Sequence, residues 1–210
     1  MKLTKADKAA IQNGDSNYLL NKGLHHFYDQ DYEEALEYFQ LSSAMGSARA
    51  VGLIGQCYLY GKGVPEETDI AFSYFRIAMD LGDVDSFYQI GKVYCDGEGV
   101  EQDRELGVYY YENGLAVLLE NESLQEHFKH PDLFYELAVQ KLLDGNTRSN
   151  LTASYKYLLI ANMGYTLALK EGAYYLETAF EAVKDKMSDS VYDDVRSSVK
   201  KQFKEEYMIR

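Results

Sequence analysis

The feature that most constrains this chain is a spacing of 36 residues at which the same residue types recur. Residues 48–82 and 84–118 align along this spacing without a gap. The recurring pairs include Gly55 and Gly91, Tyr58 and Tyr94, Gly61 and Gly97, Gly63 and Gly99, and Val64 and Val100. A fixed period of this length is typical of a solenoid in which every repeat contributes a pair of helices.

The spacing of apolar residues within one repeat predicts two helices. Residues 48–60 carry small or apolar side chains at steps of three and four, as expected for one face of a helix. A second helix is predicted over 67–81, where Ala71, Phe75 and Ala78 share a face. Glycines follow both segments, and glycine readily adopts the left-handed conformation that ends a helix. The repeat is therefore predicted to be a helical hairpin.

Together these positions form the pattern A-x(4)-L/I-G-x-x-Y-x-x-G-x-G-V-x(6)-A-x-x-Y-F-x-x-A, which resembles the Sel1-like repeat, a relative of the tetratricopeptide repeat. The resemblance is close over 48–118 and loose over 18–183. It implies an all-α fold, namely a right-handed α-α superhelix of about four to five helix pairs. It also implies a role in assembling protein complexes or in signalling, often in bacteria.

The same register divides the chain, taken as a single domain, into five units and a capping helix. The predicted bounds are 17–46, 47–82, 83–120, 131–164 and 165–183 for the units and 188–207 for the capping helix. The first unit lacks the Gly-x-Gly-Val turn and looks like a plain tetratricopeptide unit. In the fourth unit Ala138 and Ala153 are in register, and Gly164 is expected to end it. The segment 167–183 is expected to be the first helix of the fifth unit, and extra residues near 119–130 should lengthen a helix and add a loop.

Charge argues against two classes of partner. The chain has 34 acidic and 21 basic residues, a net charge of −13, and residues 29–126 alone have a balance of −15. Such a surface repels phosphate, so neither nucleic acid nor an anionic membrane is expected as a partner. It is either a solvated face or a docking surface for a basic partner. Because no apolar run could cross a bilayer and the N-terminal segment does not resemble a signal peptide, we expect a cytoplasmic protein.

Residue types that carry chemistry form no active-site pattern in the sequence. Cys57 and Cys95 fall in different repeats, which predicts reduced, buried thiols. His127 and His130 lie one turn apart, but no third ligand is near in sequence, so no metal site is predicted. The Gly-x-Gly-Val sequences follow helices rather than strands, which indicates repeat turns rather than phosphate-binding loops. We therefore predict no catalytic residue and no cofactor.

Partner binding is the function that the resemblance favours. In helix-pair solenoids the first helices of successive units line a concave groove. The resemblance implies its residues when the groove positions of tetratricopeptide repeats are carried over by the register of Gly55, Gly91 and Ala138. They are Arg49, Leu53, Gln56 and Tyr60 in the second unit, Tyr88, Gln89 and Lys92 in the third, and Tyr135, Glu136 and Val139 in the fourth. Tyrosine and arginine are enriched where protein interfaces have most of their affinity.

These residues predict an interaction scaffold or adaptor that binds a protein or peptide in the groove. One alternative is a homo-oligomer in which the capping helix or the groove binds another copy of the chain. A less favoured alternative is an enzyme with a site in the groove, since catalytic groups can assemble from distant positions. A fourth interpretation is that the side chains only line a solvated groove.

Overall fold

The computed structural model describes residues 2–121, 123, 125–173 and 176–207, and these residues form helices without any β-strand. The all-α prediction is therefore confirmed. The α-helices in this part of the chain are α1 (Lys5–Asn13), α2 (Ser16–Tyr28), α3 (Tyr32–Ala44), α4 (Ala48–Leu59), α5 (Thr68–Asp80), α6 (Val84–Asp96), α7 (Arg104–Asn121), α8 (Pro131–Leu143), α9 (Arg148–Lys170), α10 (Glu177–Ser188) and α11 (Asp193–Glu206). None of these helices is both long and apolar enough to span a membrane.

The helices form two compact units. The first, Met1–Asp103, contains α1 to α6, and the second, Arg104–Arg210, contains α7 to α11. The boundary between them falls inside the predicted third repeat, after its first helix and before its second. The single-domain organisation and the bounds of the five repeats therefore stay predictions.

In the first compact unit, helices that follow each other in sequence pack in pairs. α2 packs against α3 and α4 against α5, while α3 contacts α4 and α5 contacts α6, so the pairs stack in chain order. α4 and α5 occur where helices were predicted, and Ala71, Phe75 and Ala78 are all buried. α4 also packs against α6, which brings the first helices of two successive repeats into direct contact.

Glycine allows the two helices of a pair to approach closely. A Cβ atom added to Gly55 on α4 would lie 2.8 Å from the Phe75 ring and 3.2 Å from the backbone oxygen of Ala71 on α5. A Cβ atom on Gly23 of α2 would lie 2.7 Å from the Phe39 ring on α3. These distances are shorter than ordinary van der Waals contact, so the packing of each pair requires a residue without a side chain.

The Gly-x-Gly-Val turns connect each repeat to the preceding one. All four glycines have positive φ angles, from 61° at Gly61 to 76° at Gly63, a conformation that glycine adopts without steric cost. A Cβ atom on Gly63 would lie 2.7 Å from the backbone oxygen of Tyr32, at the start of α3. One on Gly99 would lie 2.9 Å from Oγ1 of Thr68, at the start of α5. The interpretation of these sequences as repeat turns is confirmed.

A buried carboxylate that the sequence did not reveal attaches α1 to the first helix pair. The Asp7 carboxylate accepts hydrogen bonds from Nζ of Lys22 (2.6 Å) and from the hydroxyls of Tyr38 (3.0 Å) and Tyr18 (3.2 Å). It also accepts a bond from the backbone N–H of Thr4, within the capping box at the start of α1. Asp7 thus joins α1, α2 and α3.

Hydrogen bonding keeps Asp7 and Lys22 ionised. Burial alone would raise the pKa of Asp7, but the bonds from Lys22, Thr4 and Tyr38 outweigh burial and hold this pKa well below its usual value of 3.8. Burial alone would lower the pKa of Lys22, but the bond to Asp7 raises it from 10.5 to about 12. The two groups therefore form a charged pair across the ordinary pH range.

α9 is the central helix of the second compact unit. α8, α10 and α11 all pack against α9, and α7 packs against α8. The hydroxyl of Ser154 on α9 donates to the backbone oxygen of Ala138 on α8 (2.8 Å). Ser154, rather than the predicted Ala153, is therefore the buried small residue where α8 and α9 meet.

Gly164, the last residue of the predicted fourth unit, does not lie at a helix end. α9 continues through Gly164 to Lys170, and the left-handed glycine beyond its end is Gly172, with a φ of 96°. Gly164 is buried inside α9, where an added Cβ atom would overlap the backbone oxygen of Phe128 and lie 3.0 Å from Cβ of Pro131. The glycine therefore permits a close crossing instead of a helix end.

The C-terminal segment agrees with the sequence only in part. The segment 167–183 is not one helix, as predicted, but the end of α9, a turn and the start of α10, while Tyr175 lies outside the described residues. A capping helix was predicted over 188–207, and α11 is present there after a short 3-10 helix, Ser190–Tyr192. α11 packs against α9 and buries residues at four-residue steps, namely Val195, Val199 and Phe203.

The extra residues near 119–130 extend α7 and form the short 3-10 helix Glu126–Lys129.

His127 in this short helix is buried, and its Nδ1 lies 2.8 Å from the hydroxyl of Tyr207. Burial lowers the pKa of His127, which favours the neutral ring. In the part of the chain that the structure describes, no three His, Cys, Asp or Glu side chains are grouped as metal ligands. His127 contributes to core packing.

The two cysteines differ in burial, although both were predicted to be buried. Cys57 lies in the core formed by α3 and α4, and burial raises its pKa to about 12. Cys95 on α6 is half-buried, and the two thiols are not joined in a disulfide. Because the thiolate is the reactive form, Cys57 is expected to be the less reactive thiol.

Replacing Asp7 by asparagine should lower the free energy of unfolding by about 3 kcal/mol, because Lys22 would lose its partner in a partly buried site. Because the pKa of Asp7 is lower in the folded state, its stabilisation is complete at neutral pH and is lost as the pH falls below about 5. Urea unfolding at several pH values measures both effects. Asp80→Asn, at an exposed position, should change stability by less than about 0.5 kcal/mol; equal losses at the two positions would contradict the role of Asp7.

Replacing Gly164 by alanine should lower the free energy of unfolding by about 3 kcal/mol, because the new methyl group would overlap the backbone of Phe128. Gly172→Ala, which has open space but a positive φ, should cost only about 1 kcal/mol. Thermal or urea unfolding compares the two variants directly. A larger loss at Gly172 would contradict the close contact of Gly164 with the Phe128 backbone.

In the native protein, one thiol should react with a disulfide reagent much faster than the other. We expect Cys95 to react first, since Cys57 is buried and its pKa is raised. Absorbance measured during the reaction of Cys57→Ser and Cys95→Ser variants assigns the two phases. Rapid reaction of the Cys95→Ser variant would contradict the burial of Cys57, and unfolded wild-type protein should show two thiols.

Candidate functional site

The predicted groove residues of the first compact unit lie along the adjoining helices α4 and α6. Near the start of both helices, Nη1 of Arg49 forms an ion pair with Oδ2 of Asp85 (2.5 Å) and lies 4.0 Å from Oδ1 of Asp83. Asp83 caps α6 by accepting a hydrogen bond from the backbone N–H of Ser86 (3.0 Å). Gly52 of α4 lies against this cap, since a Cβ atom there would be 2.6 Å from Oδ2 of Asp83. These contacts fix the two helix starts together.

At the other end of the two helices, Tyr60 is surrounded by charged residues. Tyr60 follows the last residue of α4, and 41% of the side chain is exposed. Burial of the remainder raises the pKa of Tyr60, the carboxylates of Glu98 and Asp96 raise it further, and Lys92 opposes this shift. Lys92 itself pairs with Asp96. The structure thus brings Tyr60 and Lys92, predicted from different repeats, into one region.

Between these ends the predicted residues separate into two groups. Gln56 on α4 and Tyr88 and Gln89 on α6 are half-buried, so part of each side chain faces solvent. Leu53 is only 3% exposed and packs with Phe39 and other residues in the core between α3 and α4. Leu53 is therefore a core residue, because its position on α4 borders the face that contacts α3.

A cavity of about 230 Å³ lies beside Tyr60. It is lined by residues that end α4 or belong to the two Gly-x-Gly-Val turns and the segments after them, namely Leu59, Tyr60, Glu66, Thr68, Glu98 and Gly99. Two carboxylates and a phenol ring form its polar and aromatic walls. Such a lining can accept hydrogen bonds from a basic side chain and contact its aliphatic part.

Sequence reasoning selected Tyr60 but missed Glu66 and Glu98. The predicted groove residues all belong to the first helices of the repeats. Glu98 lies in the turn that follows such a helix, and Glu66 lies just after the other turn. A signal was present, since Glu98 occupies the variable position within the second Gly-x-Gly-Val turn. Glu98 comes directly after Gly97, whose left-handed conformation ends α6.

The remaining predicted residues lie on α8 in the second compact unit. Tyr135, Glu136 and Val139 are each half-buried on this helix. Burial raises the pKa of Tyr135, and the nearby carboxylate of Glu136 raises it further. These three residues form a separate group, and their role in partner binding stays a prediction.

Two solved structures are similar to the chain. A Sel1 repeat protein from Oxalobacter formigenes has 26% sequence identity and a TM-score of 0.42, and the alignment covers 52% of this chain and 85% of that protein. A protective antigen present in uropathogenic Escherichia coli strains, displaying an SLR fold, has 15% identity and a TM-score of 0.46, with 93% of this chain and 54% of that protein covered. No curated protein matches the chain in sequence.

Three consecutive stretches of the chain, residues 8–47, 48–83 and 86–114, match the family model of the Sel1 repeat. The match over 8–47 corrects the expectation that the first unit is a plain tetratricopeptide unit. There the short connection between α2 and α3 replaces the glycine turn with Gln30, whose φ is 65°. The matched stretches cover half of the sequence and coincide with the helix pairs and glycine turns described above, so the chain belongs to the Sel1 repeat family.

Proposed function

We propose that this protein is an interaction scaffold or adaptor that binds a protein partner on the surface formed by α4 and α6. The observation that carries the proposal is the exposed ring of Tyr60 beside a cavity with two carboxylates. Tyrosine combines a large apolar ring with a hydrogen-bonding hydroxyl and often contributes much of the affinity of a protein interface. Membership of the Sel1 repeat family supports a protein-binding role in general.

The charges around Tyr60 favour a basic segment of the partner. Glu66 and Glu98 line the cavity, and Asp96 is close enough to influence the pKa of Tyr60. The positive charge that the structure places here, Lys92, is already paired with Asp96. A lysine or arginine of the partner would gain an ion pair with the carboxylates and contact the tyrosine ring.

The surface is held in place before any partner binds. The Arg49–Asp85 ion pair and the contact of Gly52 with the cap of α6 join the two helices at their starts. Tyr88 and Gln89 on α6 are half-buried, which restricts their side chains. A preformed surface loses less conformational freedom on binding, so more of the contact energy appears as affinity.

Replacing Tyr60 by alanine should weaken binding of the partner about 30-fold, the loss of about 2 kcal/mol expected for an aromatic anchor. The partner would first be retained from a cell lysate on immobilised wild-type protein, identified by mass spectrometry and purified. Calorimetry would then measure its affinity for the wild type, for Tyr60→Ala and for Tyr88→Ala. Circular dichroism should show unchanged helicity for the Tyr60 variant, since Tyr60 lies beyond the last residue of α4 and 41% of its side chain is exposed.

Matched controls distinguish the proposed surface from general effects of sequence change. Tyr109→Ala removes another exposed tyrosine, 60% exposed on α7, and should leave the affinity unchanged. Glu67→Lys and Glu105→Lys alter exposed acids at the starts of α5 and α7 and should act weakly, mainly at low salt. Wild-type affinity in the Tyr60 variant together with a large loss in the acid variants would contradict the proposal and favour the acidic surface.

A further inference from the structure

A second cavity lies within the second compact unit, between α9, α10 and α11. Its volume is about 300 Å³. Its lining includes Tyr155 and Asn162 on α9, Lys184 and Met187 on α10, and Arg196 and Lys200 on α11. Three basic side chains around one cavity are unexpected in a chain whose net charge is −13.

Tyr155 places a hydroxyl group without a protein partner in the lining of this cavity. Its side chain is 1% exposed, and its ring packs against that of Tyr192, with the ring centres 5.0 Å apart. Among the residues that the structure describes, no group forms a hydrogen bond with the Tyr155 hydroxyl. A ligand in this cavity can therefore accept a hydrogen bond from the Tyr155 hydroxyl in place of water.

The three basic residues differ in how far their charges are compensated. Nζ of Lys184 pairs with Oε1 of Glu181 (2.8 Å), and Nη1 of Arg196 pairs with Oδ1 of Asp193 (3.0 Å). Nη2 of Arg196 also donates to two backbone oxygens at the end of α10, which fixes its guanidinium group. Lys200 forms no ion pair within the described part of the chain. The cavity therefore has one uncompensated positive charge.

The basic surface continues from the cavity along α11. Arg196, Lys200 and Lys204 follow at four-residue steps, each directly after a buried residue of the apolar stripe. Lys204 is exposed, and no described residue forms an ion pair with it.

We propose that this cavity binds the carboxylate of an acidic side chain in a protein partner. The carboxylate would pair with Lys200 and accept a hydrogen bond from the Tyr155 hydroxyl. A carboxylate has one negative charge, which would compensate the positive charge of Lys200. Its oxygens can accept hydrogen bonds from both Lys200 and Tyr155. Arg196 and Lys204 would contact further acids in the same segment. This site is separate from the α4–α6 surface and does not depend on the function proposed for that surface.

Binding of a fluorescein-labelled hexaglutamate peptide, measured by fluorescence anisotropy at low salt, tests this site. Lys200→Gln should weaken binding about fivefold, as expected when one partly exposed ion pair is lost. Lys201→Gln, at the adjacent position outside the cavity lining, should weaken it less than about twofold. Tyr155→Phe removes only the unpaired hydroxyl and should weaken binding about fivefold. Circular dichroism should show the same helicity for all variants.

Several results would overturn the proposal. Absence of peptide binding by the wild-type protein would exclude a carboxylate site. Equal losses for Lys200→Gln and Lys201→Gln would indicate diffuse attraction to the surface of α11 rather than a cavity. Wild-type affinity in Tyr155→Phe would show that the Tyr155 hydroxyl does not bind the carboxylate. Binding of a phosphoserine peptide of the same length without binding of hexaglutamate would assign the cavity to phosphate instead.

Discussion

The packing of the first compact unit depends on close contacts at glycines, where a side chain would overlap the neighbouring element. Gly55 brings α4 against α5 within one repeat, and Gly63 brings the following turn against the start of α3 in the preceding repeat. The first contact sets the distance within a helix pair, and the second sets the distance between pairs. At Gly63 the contact is with backbone atoms of Tyr32 and Glu33, whereas at Gly55 it is with the Phe75 ring and the Ala71 backbone oxygen.

The position of the proposed binding surface follows from this stacking. Since each repeat packs on the preceding one through its turn, the first helices α4 and α6 come to adjoin, and the turns that follow them enclose a cavity. The Arg49–Asp85 ion pair spans the same two helices at their starts. A partly exposed pair of this kind contributes about 1 kcal/mol or less to stability, so its main effect is to orient the helices. The surface is thus a consequence of repeat geometry, and only its chemistry is set by variable residues.

The sequence predicted those features in which local patterns agree and missed those that depend on distant contacts. Over 48–82 the period, the apolar steps and the glycines all indicated the same helix pair, and that pair is present. The spacing identified Gly164 as special but could not show that it meets the backbone of Phe128. Asp7 was missed because one of its partners is 31 positions away. For the candidate site, helix register selected Tyr60, which is 41% exposed, but could not show that Leu53 borders α3. The role of Tyr60 in binding stays a prediction.

The two binding surfaces that we propose, one in each compact unit, have opposite chemistry. The α4–α6 surface combines Tyr60 with carboxylates, whereas the cavity in the second unit presents Lys200 and a hydroxyl donor. A segment that suits one surface has the wrong charge for the other, so the two sites discriminate between segments instead of competing for one. Where both segments belong to a single partner, the second contact forms at a high effective concentration after the first. Where they belong to two partners, the chain joins them.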